Sequence, residues 1–234
     1  MKRILFAILA LGAIHAVNAA EPLSKTLDID QMNGFHTIRI IGNLSVDVVS
    51  TEANPAMHVD LRGNDPRRFD WSVKDSVLNI SFGANSKNPA TPMLTLWTPT
   101  PIKQINIKRA DVKLINTSNT PLLDITLKEG ARLSGKVECL DLRLDLWSSS
   151  VAELNGKAAY QTIDVRHKSA LKADGIESKS VELKAKKSSE VYVNAVERAI
   201  LESSAGTSVF YNGNPIIVRT QTKLSATINP IGAR

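Results

Sequence analysis

The second half of the chain, from Leu122 to Asn229, repeats one short unit. Each unit has a strand-like stretch of alternating apolar and polar residues, a small polar corner, and a second such stretch. The first stretches begin at Leu123, Leu140, Ile163, Val181, Ile200 and Ile217. The period of about 20 residues lies in the range of solenoids, in which successive coils stack on one another. The repeat therefore predicts a stack of β-coils and a nearly all-β chain.

The alternation within each stretch predicts one buried and one exposed face. Exposed side chains of neighbouring coils then form columns with a spacing of about 4.8 Å. We expect an acidic column beside a mainly basic one, which would offset the repulsion between stacked like charges. The acidic column would hold Asp124, Asp141, Asp164 and Glu182, and its neighbour Thr126, Arg143, Arg166 and Lys184.

The N-terminal segment 1–19 has the pattern of a signal peptide. Met1-Lys2-Arg3 is basic, the apolar run Ile4–Ile14 is too short to span a bilayer, and Val17-Asn18-Ala19 suits a signal peptidase. We therefore predict a signal peptide at 1–19, a lead-in segment at 20–32, and one β-solenoid domain at 33–229. The predicted location is the bacterial periplasm or cell surface, with no membrane span left after cleavage.

Both ends of the stack need protection, because unpaired strand edges invite aggregation. Alternating strands at 35–40 and 44–48 flank Gly42-Asn43, a turn signal that predicts a hairpin. We expect these entry strands to cap the N-terminal end, and the final segment with Pro215 and Pro230 to cap the other. Residues 191–201 could form a short helix, but their register in the repeat favours strand, corner and strand.

The net charge of +6 falls to about +4 once Lys2 and Arg3 are removed with the signal peptide. Basic residues alternate with acidic ones along the sequence, and only 5% of residues are aromatic. Nucleic-acid binding needs a basic stripe with stacking aromatics, so we predict no nucleic-acid partner. The Lys184, Lys186, Lys187 group is interpreted as a solvated strand face and corner.

The single cysteine, Cys139, cannot form an internal disulfide. It precedes Leu140 at the start of a predicted strand, where a buried small apolar side chain fits better than a reactive thiol. The fold must therefore be stabilised by apolar burial.

The sequence carries no motif that predicts catalysis, and we assign no catalytic, cofactor-binding or metal-binding residues. It lacks a Cys pair, a His-x-x-x-His motif, a Gly-x-Ser-x-Gly elbow and a phosphate-binding loop. His36 and His58 fall on alternating strands as exposed residues. Asp141 and Asp164 could lie on neighbouring coils, and two carboxyls about 5–10 Å apart in a groove could cleave a glycan. Exposed residues in the columns of a stack without catalytic activity would be placed in the same way.

Four stretches carry a family resemblance through their motifs and their order along the chain. They are Phe35–Val48, then Val73–Ile80 with Leu94–Pro99, and finally Val209–Pro215. Together they resemble the family described as "putative autotransporter adhesin, head GIN domain", over about residues 33–229. The resemblance implies a right-handed parallel β-helix-like solenoid of exported bacterial proteins, and no catalytic residues. The chain departs from the family pattern in having fewer glycines, with Ala195 where Gly or Asn is usual.

These features together predict an exported, non-enzymatic β-solenoid with an N-terminal strand cap and a binding or adhesion-type role. The expected partner is an envelope glycan or an envelope protein. Two alternatives stay open: a glycan-active lyase or hydrolase, and a purely structural envelope protein. A groove lined by Asp, Glu, Arg or Tyr would favour the enzyme, and self-association would favour the structural protein.

Overall fold

The computed structural model describes the backbone of residues 24–28 and the full residues 35–51, 55–83, 90–98, 101–116 and 119–231. The predicted signal peptide at 1–19 lies outside these ranges. Among the described residues, no helix has both the length and the apolar composition needed to cross a bilayer. The one helical element within these ranges is a 3-10 turn at Pro66–Arg68.

Nineteen strands are described, and they form a solenoid with two long sheet faces. Face A is built from β2 (Thr37–Ile41), β5 (Phe69–Lys74), β6 (Val77–Phe82), β8 (Gln104–Lys108), β10 (Thr120–Lys128), β14 (Ser180–Lys186), β16 (Arg198–Ser204) and β18 (Ile217–Lys223). Face B is built from β1 (Ser24–Asp28), β3 (Ser45–Ser50), β4 (Ala56–Asp60), β7 (Met93–Thr98), β9 (Asp111–Asn116), β13 (Ala170–Glu177), β15 (Glu190–Asn194), β17 (Ser208–Asn212) and β19 (Thr227–Pro230).

Two long strands, β11 (Arg132–Leu146) and β12 (Val151–Arg166), bend from face B across a short third side onto face A. Their first residues pair with face B strands and their last residues with face A strands. From β8 onward every pairing between neighbouring coils is parallel. The predicted all-β parallel solenoid is therefore confirmed, and so is the rejection of a helix at 191–201.

The first coils are not stacked in the order of the sequence. On face A, β2 lies between β6 and β8, and on face B, β3 lies between β7 and β9. The predicted hairpin is therefore wrong, since β2 and β3 pair with other strands and not with each other. Gly42 instead lies at a corner, with a φ of +114°. It approaches the neighbouring coil that contains β6 so closely that a Cβ would lie 2.1 Å from the carbonyl oxygen of Phe82.

The N-terminal end of the stack is closed by antiparallel strands, so a strand cap is present. On face A, β5 pairs antiparallel with β6, and on face B, β4 and β1 continue antiparallel beyond β7. Phe69, Trp71 and Val73 of β5 pack against the core. The cap is thus made by β1, β4 and β5 instead of the predicted entry strands, and β1 lies within the predicted lead-in segment.

The C-terminal end differs from the prediction. The segment with Pro215 and Pro230 forms the last coil, β18 and β19, and among the described residues nothing pairs with its outer edge. Every residue of β18 is exposed. This segment therefore does not cap the stack.

The core is one continuous apolar cluster that runs through the coils, from Phe35 to Val209. Inward-facing side chains of face A become smaller and more polar towards the C-terminus. The series with one residue from each coil is Ile107, Leu127, Leu146, Val165, Ala185, Ser203 and Thr222. Burial of these apolar side chains, worth roughly 1.5–3 kcal/mol for each large one, stabilises the early coils most.

The exposed columns on face A have a different register from the predicted one. Asp124 pairs with Arg143, and Asp145 pairs with Asp164, which in turn pairs with Lys184. The predicted all-acidic column does not exist, because these residues fall into two columns, each of which mixes acidic, basic and neutral side chains. The alternation also predicted that Leu140 is buried together with Leu142 and Leu144. Leu140 instead lies at a corner and is 52% exposed.

Candidate functional site: the basic corner

The most distinctive surface is the corner where the chain passes from face A to face B. We define the basic corner as the three residues that end each face A strand and begin the turn. Counted from β8 onward, these are 108–110, 128–130, 147–149, 166–168, 186–188, 204–206 and 223–225.

Most of these turns use two successive residues in the left-handed region, with φ between +55° and +77°. Outside glycine this conformation costs roughly 1–2 kcal/mol per residue. Non-glycine pairs nonetheless occur at Ser148-Ser149, His167-Lys168 and Lys187-Ser188. This explains how the chain forms regular corners with few glycines.

Two sets of hydrogen bonds hold the corners in place. The backbone amide of Ser149 donates to the carbonyl oxygen of His167 in the next coil, and Lys168 donates to Lys187 in the same way, both at 2.9 Å. In four of the seven corners a buried hydroxyl then closes the turn. Ser150 donates to the Trp147 carbonyl at 2.7 Å, and Ser169 to the Arg166 carbonyl at 2.8 Å. The corner is therefore a rigid, repeated backbone structure.

Positive charge is concentrated at this corner. Of the 29 Lys and Arg residues in the chain eight lie here, against one of the 23 Asp and Glu residues. The corner thus carries seven net positive charges, while the remaining 21 basic and 22 acidic residues nearly cancel. The eight are Lys108, Arg109, Lys128, Arg166, Lys168, Lys186, Lys187 and Lys223.

The middle of the corner is organised by Trp147. The Arg166 guanidinium lies 4.4 Å from the ring centroid and the Lys128 ammonium 5.8 Å. His167 lies beside the same ring with centroids 6.1 Å apart, and its Nε2 is 2.9 Å from the Lys187 ammonium. Because an ammonium only donates, Nε2 accepts here. Cation–π contacts of this kind fix the direction of flexible basic side chains.

The single acidic residue, Glu129, neutralises one end of the corner. It lies 2.6 Å from the Lys108 ammonium and 3.8 Å from Arg109. The hydrogen bond from Lys108 lowers the pKa of the Glu129 carboxyl, so Glu129 is ionised at neutral pH. Arg166 is likewise paired, with Asp164 on the neighbouring face. The most available charges are therefore those of Lys168, Lys186, Lys187 and Lys223.

The carboxylates on face A lie beside a shallow open depression and not in a deep groove. Asp145 and Asp164 are in register on adjacent coils, and the depression of about 250 Å³ is also lined by Arg143 and Lys184. Burial raises the pKa of Asp145, and the neighbouring Asp164 raises it further. Asp141 lies instead in another column, beside Tyr160. The sequence prediction paired Asp141 with Asp164, and the structure pairs Asp145 with Asp164.

Other residues considered from sequence fall outside the basic corner or have structural roles. His36, just before β2, and His58, in β4, are half-buried and not exposed as predicted. Cys139 is a free, buried cysteine, as predicted, and burial raises the pKa of its thiol to about 11. Within the described part of the chain no group of three His, Cys, Asp or Glu side chains is placed to hold a metal ion.

Sequence analysis missed the basic corner because it treated basic residues as interleaved with acids along the chain. The corner residues lie one repeat apart in sequence and become neighbours only through stacking. A signal was present, however. In successive units the residues before the small Ser or Ala of the corner are basic, as in Arg166-His167-Lys168-Ser169 and Lys186-Lys187.

Comparison with known proteins agrees with this architecture. A family model described as "Putative auto-transporter adhesin, head GIN domain" matches residues 34–215, most of the chain. The chain belongs to this head GIN domain family. Sequence resemblance had indicated the same family, so that prediction is confirmed. No curated protein matches the chain.

Solved structures share the fold of this head GIN protein. A putative adhesin from Bacteroides fragilis is 18% identical, with a TM-score of 0.79 over 91% of this chain and 98% of the other. A putative adhesin from Parabacteroides merdae is 15% identical, with a TM-score of 0.70 over 91% and 97%. A putative lipid binding protein from Parabacteroides distasonis is 15% identical, with a TM-score of 0.69 over 91% and 98%. At these identities the similarity concerns the fold.

Proposed function

We propose that this head GIN protein is an exported, non-enzymatic adhesion-type module that binds an acidic polysaccharide of the cell envelope along its basic corner. The proposal rests mainly on one observation: seven net positive charges lie in one straight corner, while the rest of the chain is nearly neutral. Membership of a family named for adhesins supports a binding role.

The dimensions of the corner fit a linear polyanion. Coils stack about 4.8 Å apart, so the distance from Lys108 to Lys223 over six steps is about 29 Å. The hydrogen-bonded turns fix this spacing before any ligand binds, which reduces the entropy lost on binding. A narrow line of charge of this length matches an extended chain of uronate or sulfate groups.

Other anionic partners fit less well. Binding to single-stranded nucleic acid uses rows of aromatic side chains that stack on bases, and within the basic corner Trp147 is the only aromatic residue besides His167. Peripheral membrane binding combines basic residues with a band of apolar ones, and the one large aliphatic side chain in these corners is Leu224. A glycan-cleaving enzyme would need a groove around its carboxylates, and Asp145 and Asp164 lie beside an open depression.

The test compares three lysines of the basic corner with three lysines elsewhere. The first variant combines Lys168→Gln, Lys186→Gln and Lys187→Gln. The matched control combines Lys113→Gln, Lys157→Gln and Lys172→Gln, which lie outside the corner and change the net charge equally. Binding to alginate and heparin, with dextran as the neutral probe, is measured by calorimetry or biolayer interferometry at low and high salt.

We expect binding to alginate or heparin that weakens with salt, is about tenfold or more weaker in the corner variant, and is nearly unchanged in the control. Each exposed charge contributes about 0–1 kcal/mol, so three together give a measurable loss. Equal losses in both variants would indicate general charge attraction and contradict the proposal. Stronger binding to phosphatidylglycerol vesicles or to DNA than to either polysaccharide would also contradict it.

A further inference from the structure

The C-terminal end of the described solenoid is a second surface of interest, because its last two strands each have one partner. Among the described residues, β18 is in register only with β16, and β19 only with β17. β18 on face A and β19 on face B therefore both present unpaired backbone N–H and C=O groups at the C-terminal end. Such edges are templates for pairing with another chain.

The side chains at this end are those of an unfinished core. Val218, Thr220 and Thr222 continue the inward-facing positions of Ala199, Leu201 and Ser203, which are buried one coil earlier. In the last coil these positions are exposed. Two large apolar side chains also project into solvent, Ile216 at 86% and Leu224 at 77% exposure.

The two ends of the stack contrast sharply. At the N-terminal end, Phe69, Trp71 and Val73 of the antiparallel strand β5 cover the core. No described residue does the same for the C-terminal end. The outer strands β5 and β1 also have one described partner each, but the core behind β5 is covered. A copy added head to tail would therefore meet a covered core, whereas a copy added tail to tail would meet a second uncovered one.

We propose that two copies of this chain associate tail to tail through β18 and β19, around a two-fold axis that passes near Leu224. Along face A the chain runs towards the corner, and along face B it runs away from it. A two-fold axis through that corner places β18 of each copy antiparallel to β19 of the other. Both open edges are then paired at once, as an isologous interface requires.

The charges at this end are compatible with that arrangement. β18 carries Arg219 and Lys223 on its outer face, and β19 carries no charged residue. Pairing β18 with β19 therefore avoids placing like charges directly opposite each other. Pairing β18 of one copy with β18 of the other would bring two sets of basic residues into the same strand pair. Leu224 occupies the place that Ala205 and mostly charged or polar residues hold in earlier corners, so its two copies meet as an apolar pair.

This interface would also extend the basic corner. Because the axis passes through the corner, the corners of the two copies form one continuous line of about twice the length. A longer line of charge would raise the affinity for a polymer through multivalency. The self-association itself does not depend on what the corner binds.

The oligomeric state of the purified chain tests the proposal, by sedimentation velocity and light scattering over a dilution series. We expect a dimer that dissociates on dilution. The variant with Val218→Lys and Leu224→Lys is expected to weaken dimerisation about tenfold or more, since each change occurs twice in the interface. Leu140→Lys replaces an exposed leucine at a corner in the middle of the stack and is expected to leave the dimer unchanged.

A cysteine variant tests the geometry directly. Leu224→Cys is expected to form a disulfide-linked dimer under mild oxidation, because two copies of this residue meet near the axis. Leu140→Cys is the matched control, and Cys139, present in every variant, is buried. Circular dichroism confirms that each variant is folded. A wild-type monomer at every concentration, a mass that grows without limit as in head-to-tail filaments, or a dimer unaffected by either Leu224 variant would each overturn the proposal.

Discussion

Gly156 lies so close to Val137 of the preceding coil that a Cβ on it would be 2.1 Å from the Val137 carbonyl oxygen. Its φ of +120° is also one that other residues rarely adopt. Gly42 and Gly135 make the same close approach at other coils. These glycines let the chain turn tightly while the backbones of adjacent coils stay in contact.

Gly156→Ala is therefore expected to destabilise the fold by about 3 kcal/mol or more, since overpacking and backbone strain add together. Gly130→Ala is the matched control, because Gly130 has φ +77° and no atom within 4 Å of the added Cβ. Its expected cost is about 1 kcal/mol. Urea denaturation measures both, and similar losses in the two variants would contradict the role assigned to close approach.

The buried hydroxyl of Ser169 connects two coils. It donates to the Arg166 carbonyl and accepts a hydrogen bond from the backbone amide of Ser150, at 3.2 Å. Ser169→Ala leaves both groups without this partner, and we expect a loss of about 1–2 kcal/mol in the free energy of unfolding. Ser134→Ala, on the outward side of face B, should change stability little. A neutral effect of Ser169→Ala would show that the backbone ladder alone holds the corner.

Asp145 and Asp164 form a like-charge pair across adjacent coils. Burial raises the pKa of Asp145, with Asp164 as a further cause, so the folded state disfavours its charged form. The resulting contribution to stability is present at acidic pH and is lost as the pH rises through the folded-state pKa. Because solvent screens the pair, Asp145→Asn is expected to stabilise the protein by only about 0.5 kcal/mol at pH 7 and to have no such effect at acidic pH.

Thermal unfolding across this pH range measures the effect. Asp141→Asn is the control, because Asp141 lies in register with Leu122 and Tyr160 instead of another carboxylate. A gain that persists at acidic pH would argue against electrostatic repulsion as the cause.

Glu129 neutralises Lys108 and Arg109 at the N-terminal end of the basic corner. Glu129→Gln is expected to strengthen alginate binding about threefold to fivefold at low salt, since it frees the positive charges of Lys108 and Arg109 for the ligand. Glu177→Gln changes the net charge equally on another side of the solenoid, where Glu177 pairs with Lys157. The same calorimetric titration compares the two, and weaker binding by Glu129→Gln would contradict the assignment of the corner as the binding surface.

Much of the fold followed from the sequence. The period of the repeat and the alternation of apolar residues identified the solenoid and most strands of its second half. They also predicted a small polar corner in each unit, and Ser148-Ser149-Ser150 lies at such a corner in the structure. The β5 strand was missed although its Phe69, Trp71 and Val73 alternate with polar residues, and its antiparallel pairing with β6 is visible only in the structure.

The candidate site did not follow from the sequence. The offset between paired residues varies from coil to coil, since the step from Asp145 to its partner Asp164 is shorter than the step from Asp164 to its partner Lys184. A pairing shifted by two positions leaves the buried face unchanged but moves every charge to another column. Alternation alone could not reveal which charges become neighbours.

The sequence by itself therefore determined most of the buried face of the strands, because burial depends largely on a local alternation of period two, with Leu140 and the last coil as exceptions. The tertiary structure decided which coils are adjacent and which charges are stacked. It placed β2 and β3 between strands that follow them in the chain, and it aligned eight basic residues on one corner. The physical reason is that the register between coils is set by corner geometry and by backbone hydrogen bonds between residues far apart in sequence, and these form only when the coils stack.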